Sequence, residues 1–338
     1  MPERAKSLRS VAAAGLARAA RLRWQASCHW LLASCAFALA PNGASAQEAA
    51  TMQPVQVADR VWFVQGQSAL GSAANRNFIS NAGFVVTDAG VVVVDALGSP
   101  ALAEALIAAI RKITPQPVTH VIVTHYHADH IYGLQAFQAQ GARILAHAAA
   151  REYLHSDAAQ QRLDASRRDL APWIDAATRM VSADDWLAGD RDLTLGGVRI
   201  EIRHVGPSHT PEDLVVHLPQ QKVLFAGDLV FRARIPFVGR ADSRQWIRAL
   251  DRLLAFNAAS IVPGHGPLSH AAREDMLLTR DYLRHLRAAM GTAARNMDPF
   301  DAAYKAADWS RFEKLPLFGA ANRMNAYNTY LLMEQEAP

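Results

Sequence analysis

Four side chains able to bind a metal or carry a proton fall within six residues of the run Thr124-His125-Tyr126-His127-Ala128-Asp129-His130. Three imidazoles and a carboxylate at that density repel one another and lose water unless a cation offsets both costs. Neither a helix nor a strand points all four one way. A tight loop can, and it can divide them between two neighbouring centres. Three more residues of this kind follow, each at the end of a strand-like run. They are His209 in Gly206-Pro207-Ser208-His209-Thr210-Pro211, Asp228 in Ala226-Gly227-Asp228-Leu229, and His265 in Pro263-Gly264-His265-Gly266. Singly, each is ordinary; in this order after the first run, they read as one set. Neutral imidazoles and carboxylates suit zinc, and open coordination positions mark a catalytic site.

The elements that must position this set alternate between strand and helix patterns. Val55–Val57, Val61–Val64, Phe78–Val86 and Val91–Val94 read as strands, the last buried on both faces because it is a continuous apolar run. Ser99 and Pro100 open a helix whose apolar face carries Leu102, Leu106, Ile107 and Ile110. Val118–Val123 is a buried strand that ends at the histidine cluster, the position where α/β folds place their sites. After a strand at Ile144–Ala146, one long helical stretch is expected over 148–180. The second half repeats the pattern, with strands at Leu193–Leu195, Val198–Ile202, Leu214–Leu218, Val223–Phe225 and Ile261-Val262. Between the last two, Asp242 with Gln245 three residues on opens a helix lined by Trp246, Leu250, Leu253 and Leu254. Helices follow over 270–289, 299–307 and 320–336. Residues 65–77, rich in Gly, Ser, Ala and Asn, read as a mobile loop. Two similar halves predict two sheets face to face with helices outside, in one domain over 54–338 with its core at 54–270.

The first 46 residues differ from the rest. Six basic residues stand against one acid, an apolar stretch runs from Trp30 to Ala40, and Ala44-Ser45-Ala46 follows. This predicts a secretory signal cut after Ala46, a short polar leader over 47–53, and a periplasmic or secreted product. Removing six of 35 basic and one of 31 acidic residues leaves 29 against 30, a net charge of −1. The basic balance therefore belongs to the signal, and nothing points to a nucleic-acid partner or, after cleavage, to a membrane. Cys28 and Cys35 both lie in the signal, so the mature chain offers no thiolate ligand or nucleophile. The expected partner is a small-molecule substrate, with the oligomeric state open.

The motif order H-x-H-x-D-H, His, Gly-Asp, Gly-His-Gly resembles that of the metallo-β-lactamase superfamily. The resemblance implies an αββα sandwich with two zinc ions per chain at one edge. It assigns His125, His127 and His209 to one zinc and Asp129, His130 and His265 to the other, with Asp228 bridging. It makes Asp95 the buried acid that orients the site, and Asp129 the catalytic proton shuttle for a hydroxide held between metals about 4 Å apart. The bond cleaved would be an ester, lactone, lactam or thioester. Departures narrow the choice. The commonest β-lactamases carry Cys where this chain has Asp228 and often Lys where it has Phe231, so a true β-lactamase with an unusual Asp ligand is an alternative. Pro211-Glu212-Asp213 and Gly266-Pro267 depart from the glyoxalase II pattern. Asn81-Ala82-Gly83-Phe84 and Asn325-Ala326-Tyr327-Asn328-Thr329-Tyr330 are most similar to exported zinc metallohydrolases of the sulfur-oxidation and quinoprotein-relay type. A persulfide dioxygenase-like oxidoreductase with one iron is a further alternative on the same fold. Substrate walls are expected from 65–77, Trp173–Met180 and Phe231–Phe237. Phe231 and Arg232 are the expected substrate contacts, Arg232 gripping an acidic group, and Tyr126 faces either substrate or core.

Overall fold

A computed structural model describes residues 52–336. The expected export signal and most of the expected leader lie outside the described residues. The first sheet has seven strands in the order of the chain: β1 (Val55–Ala58), β2 (Val61–Val64), β3 (Ala82–Thr87), β4 (Gly90–Val94), β5 (Val118–Ile122), β6 (Arg143–His147) and β7 (Asp185–Leu187). β1 to β4 are antiparallel neighbours, and β4 to β7 run parallel. The second sheet has five strands: β8 (Arg191–Leu195), β9 (Val198–His204), β10 (Leu214–Leu218), β11 (Val223–Phe231) and β12 (Ser260–His265). β8 to β11 pair antiparallel, and β12 joins β11 in parallel.

The sheets bury one face each against the other. Val61, Phe63, Val85, Val92, Val94, Ile122 and Leu145 of the first sheet pack on Ile200, Ile202, Leu214, Val216, Val223, Phe225 and Val262 of the second. Their alternation along the strands is what a face-to-face sandwich requires. The outer face of the first sheet is covered by α1 (Pro100–Ile113), α2 (Ala128–Ile131), α3 (Leu134–Ala139), α4 (Ala150–Leu154) and α5 (Asp157–Asp169). The outer face of the second is covered by α6 (Ser243–Leu253), α7 (Ala272–Asn296), α8 (Phe300–Ala306) and α9 (Phe318–Gln335). This is the αββα sandwich expected from the sequence.

Local chemistry sets several boundaries. Ser99 accepts from the Leu102 amide and Pro100 takes the first helical position, so α1 starts where the sequence indicates. Asp242 caps α6 through the Gln245 amide. The expected single helix over 148–180 is instead α4 and α5, and it stops at Asp169. Beyond it the Asp175 carboxylate accepts from the Ala177 and Thr178 amides, a local turn that competes with helix. The loop over 65–77 is tied down rather than loose. Gln67 donates to Phe78 O, Asn77 Nδ2 donates to Gly98 O, and Trp173 Nε1 donates to Ala73 O across 2.8 Å. Among the described residues no helix is long and apolar enough to cross a membrane.

Candidate metal centre

All seven candidate ligands converge at one edge of the sandwich, in two groups that could each hold a metal ion. The first sheet contributes His125, His127, Asp129 and His130 from the loop after β5 and from α2. The second contributes His209 from the β9–β10 loop, Asp228 from β11 and His265 from the end of β12. Close approach of β11 and β12 depends on glycine: a Cβ on Gly264 would collide with Asp228 Oδ1. Gly227 (φ +50°) lies where a side chain would press on Thr124, and its left-handed backbone suits glycine alone at little cost.

In the first group, His125 Nε2 and His209 Nε2 each lie 3.0 Å from His127 Nδ1. Tetrahedral bonds of about 2.0 Å to zinc place ligand nitrogens about 3.3 Å apart, close to this spacing. The His125 Nδ1–H is directed to Thr124 Oγ1, which donates onward to Asp95 Oδ2. This leaves the Nε2 lone pair facing the cluster. Burial keeps all three rings neutral, the form that binds metal: His125 lies well below its ordinary range, His127 is lowered, and His209 is pushed down to about 3. Trp246 and Phe231 pack edge-on against His209 at 5.1 and 6.0 Å between ring centres and fix its direction.

The second group is arranged around opposite charges. Asp129 Oδ2 lies 3.2 Å from His265 Nε2 and 3.7 Å from His130 Nε2. Asp228 stands between the groups: Oδ1 is 3.2 Å from His130 Nε2, and Oδ2 is 3.3 Å from His265 Nε2 and 3.4 Å from His209 Nε2. Burial opposes charge on His130 and His265, but Asp228 and Asp129 outweigh it and raise both. The field of the carboxylates thus calls for positive charge where the second group converges. His130 Nε2 and Asp228 Oδ1, 3.2 Å apart, are both buried without a well-aligned hydrogen bond, the kind of donor pair that a cation would complete.

Orientation comes from behind. Asp95 accepts from the Thr124 amide and hydroxyl at 2.8 Å and from His130 Nδ1 at 2.9 Å, so His130 presents Nε2 forward. His265 Nδ1 donates to Ile79 O across 2.7 Å with the same result. Asn81 was singled out in the sequence without a role. Its side-chain amide donates to Pro263 O and Gly266 O on both sides of His265, and its carbonyl accepts from the Gly66 amide. Glu212, buried, accepts from the Tyr126 amide and ties the His209 loop to the first motif. None of the other described histidines joins either group.

The three expected substrate contacts lie elsewhere. Tyr126 is fully buried and donates to Val181 O, so it faces the core. Phe231 is buried and stacks on His265 at 5.1 Å, behind the donors and not in front of them. Arg232 turns away, donating to Asp275 at 2.6 Å and to Leu268 O at 2.8 Å. The cation beside the centre is Arg234, buried, with one terminal nitrogen 3.3 Å from His265 Nδ1. Ala233 between them has φ +55°, which sends the two side chains in different directions. The sequence signal was an arginine entering the apolar run Ile235-Pro236-Phe237-Val238.

Known proteins resemble this chain in sequence and fold. The model of the metallo-beta-lactamase superfamily matches residues 75–265. A linear primary-alkylsulfatase from a Pseudomonas strain is 26% identical over 234 residues, 58% of this chain but only 44% of the sulfatase. A type 2 metallo-beta-lactamase from Bacillus cereus is 28% identical over 242 residues, covering 70% of this chain and 84% of that enzyme. Among solved structures, a metallo-beta-lactamase from Pontibacter korlensis superposes with a TM-score of 0.56 at 26% identity, over 69% of this chain and 99% of its own. The sec-alkylsulfatase Pisa1 from a Pseudomonas species gives 0.64 at 18% identity, over 83% of this chain and half of its own, a likeness of fold. The described donor set, its order along the chain and the match over more than half its length agree: this chain belongs to the metallo-beta-lactamase superfamily.

Proposed function

We propose that the protein is an exported two-zinc hydrolase that cleaves an ester, lactone, lactam, thioester or sulfate ester in a small molecule. The observation that carries this reading is the position of Asp228, whose two oxygens face imidazole nitrogens of both donor groups at 3.2–3.8 Å. His125, His127 and His209 would hold one ion, and Asp129, His130 and His265 the other, with Asp228 shared. Bound zinc lowers the pKa of a water to about 7 and polarises the bond under attack. The chain's own residues do the rest. Asp95 and Ile79 O hold the rings of His130 and His265 with Nε2 forward. Asp129 is partly exposed, and its carboxylate is held below the usual range by His130 and His265 against the opposing effect of burial. It is therefore ionised at the mouth of the centre, where its oxygens can orient an attacking water and relay a proton toward the leaving group.

Lactam cleavage is the second reading, favoured by the likeness to the Bacillus cereus enzyme over most of its length. Sulfate esters enter through the alkylsulfatase relative.

Elemental analysis of purified protein is expected to find two zinc ions per chain. Lactams, lactones, thioesters, phosphodiesters and sulfate esters should include at least one class turned over, with activity lost to a chelator and restored by zinc. One iron per chain, with oxygen consumed on a persulfide, would replace the hydrolase by the oxygenase reading. Export is tested by N-terminal sequencing of periplasmic protein, expected to begin at Gln47; a chain still starting at Met1 would refute it.

A further inference from the structure

One face of α9 is bare. The opposite face packs along α7 and buries Asn322, Asn325, Ala326 and Thr329. Asn325 donates to the Tyr282 hydroxyl of α7, which donates to Asn322, so the helix is pinned in one rotation. This turns Ala320, Met324, Tyr327 and Leu331 outward, the last three exposed by 44, 45 and 37%. Their spacing of four, three and four residues is that of a seam by which one helix meets another. From Met324 to Met333 the helix carries no charge. Met297, 86% exposed, stands one residue before Asp298, whose carbonyl accepts from Tyr330 of α9. Side chains of this size hold about 200 Å² each, so Met297, Met324, Tyr327 and Leu331 leave roughly 400 Å² of apolar surface in water, a patch of the size that serves association.

The charges at the ends of the seam single out its partner. Arg323 and Glu334 are both exposed and stand eleven positions apart. Eleven residues make about three turns, so the two lie on the same flank, one toward each end. A two-fold axis near Asn328 and Thr329 reverses the helix direction and keeps that flank on one side. Arg323 of one copy then meets Glu334 of the other, twice over. A parallel pair would set like charges together instead. Arg323 is bonded to Asp301, but both are more than half exposed, so that pair is weak and leaves guanidinium donors for a second carboxylate. Shape agrees with charge. An open cavity of about 420 Å³ lies beside Arg323 and Tyr327, lined also by Pro299, Phe300 and Asp301. In the antiparallel register Leu331 of the second copy stands opposite Ala326, next to Tyr327, where it can enter this cavity. Two copies would cover about 800 Å² of apolar surface, close to the apolar share of a standard interface of about 1,600 Å².

We propose that the protein forms a two-fold dimer in which α9 packs antiparallel on α9 of a second copy. The face is complementary to itself in charge and in shape, as an interface between identical copies must be. It lies beyond residue 265, where the match to the superfamily ends, so it belongs to the C-terminal helices and not to the shared sandwich. The dimer is independent of the hydrolase reading.

Analytical ultracentrifugation of the full chain at micromolar concentration is expected to give twice the mass of one copy. Leu331→Asp should raise the dissociation constant of the dimer at least about 30-fold, as loss of a central apolar contact does. Glu334→Lys, an exposed change that leaves the fold alone, should raise it about 3- to 10-fold by turning two attractions into two repulsions. Circular dichroism checks that each variant keeps its helix content, and Glu334→Lys decides the matter if Leu331→Asp unfolds. Orientation is read by cross-linking with a short bismaleimide, in a chain carrying Cys28→Ser and Cys35→Ser. Asn328→Cys, beside the two-fold axis, should link to its own copy, and Glu274→Cys on α7 should not. A monomer at every concentration reached, a dimer indifferent to Leu331→Asp and Glu334→Lys, or equal linking of both cysteine variants would each overturn the proposal. A monomer that binds phosphatidylglycerol vesicles, and loses them on Leu331→Asp, would overturn it by giving the face to a lipid surface.

Discussion

Asp228→Ala is expected to reduce hydrolysis by at least about 10³-fold and to lower zinc from two ions per chain to one or fewer. The size follows from position. Loss of a residue that merely orients a ligand costs about 10- to 100-fold, and Asp228 faces His125, His130, His209 and His265 directly. Its removal also takes away the largest favourable charge acting on His130, whose imidazole would then lean toward neutrality. The fold should survive, because the space opened lies at the sandwich edge and not between the sheets. Elemental analysis and circular dichroism on the same sample separate the outcomes. Two tightly held zinc ions in a folded Asp228→Ala protein would remove the shared-ligand reading.

The second large effect is expected at Asp95. Asn is the informative substitution, since it keeps the shape and tolerates the left-handed backbone found there, φ +61°. An amide accepts through one atom only. If Oδ1 keeps the Thr124 amide, Nδ2 confronts the Thr124 hydroxyl and His130 Nδ1, both of which donate to Asp95 in the wild type. His130 then gains by turning its proton forward, where it opposes metal. Zinc affinity at the second group should fall about 10- to 100-fold, with the first group less affected. Competition against a chelator of known affinity resolves the two sites. Equal weakening of both, or of neither, would show that Asp95 serves the fold and not His130.

Much of this centre was legible because ligand chemistry is written in residue type. His125 to His130 announce themselves by density, and His209, Asp228 and His265 by recurrence at strand ends. The αββα layering followed from apolar alternation and from the caps at Ser99 and Asp242. What escaped is set by backbone direction. Arg232 and Arg234 are interchangeable in composition, and only the positive φ of Ala233 decides which one meets the centre. Phe231 looked like a wall because it follows Asp228 by three, but β11 continues through it and turns it behind His265. The helix expected over 148–180 failed for a related reason. Asp175 offers its carboxylate to nearby amides, a local bond that a period-based reading does not weigh. The short helix α2 carries Asp129 and His130 and α3 follows it, and the apolar positions Ile131, Leu134 and Phe137 span less than two turns, too few to show a helical period.

Each donor group draws on both sheets: the first runs from His125 to Asp228, 103 positions apart, and the second from Asp129 to His265, 136 apart. An ion held by either group would close a loop of that span, a cross-link made and unmade by supply. Occupancy and persistence then become one variable: ligand that binds only the native state adds about 2.7 kcal/mol when its free concentration is 100 times its dissociation constant. A protein so built answers scarcity of metal by opening more often, and opened chains are what proteases remove. The population of this protein would thus track metal availability without any sensor, through turnover alone.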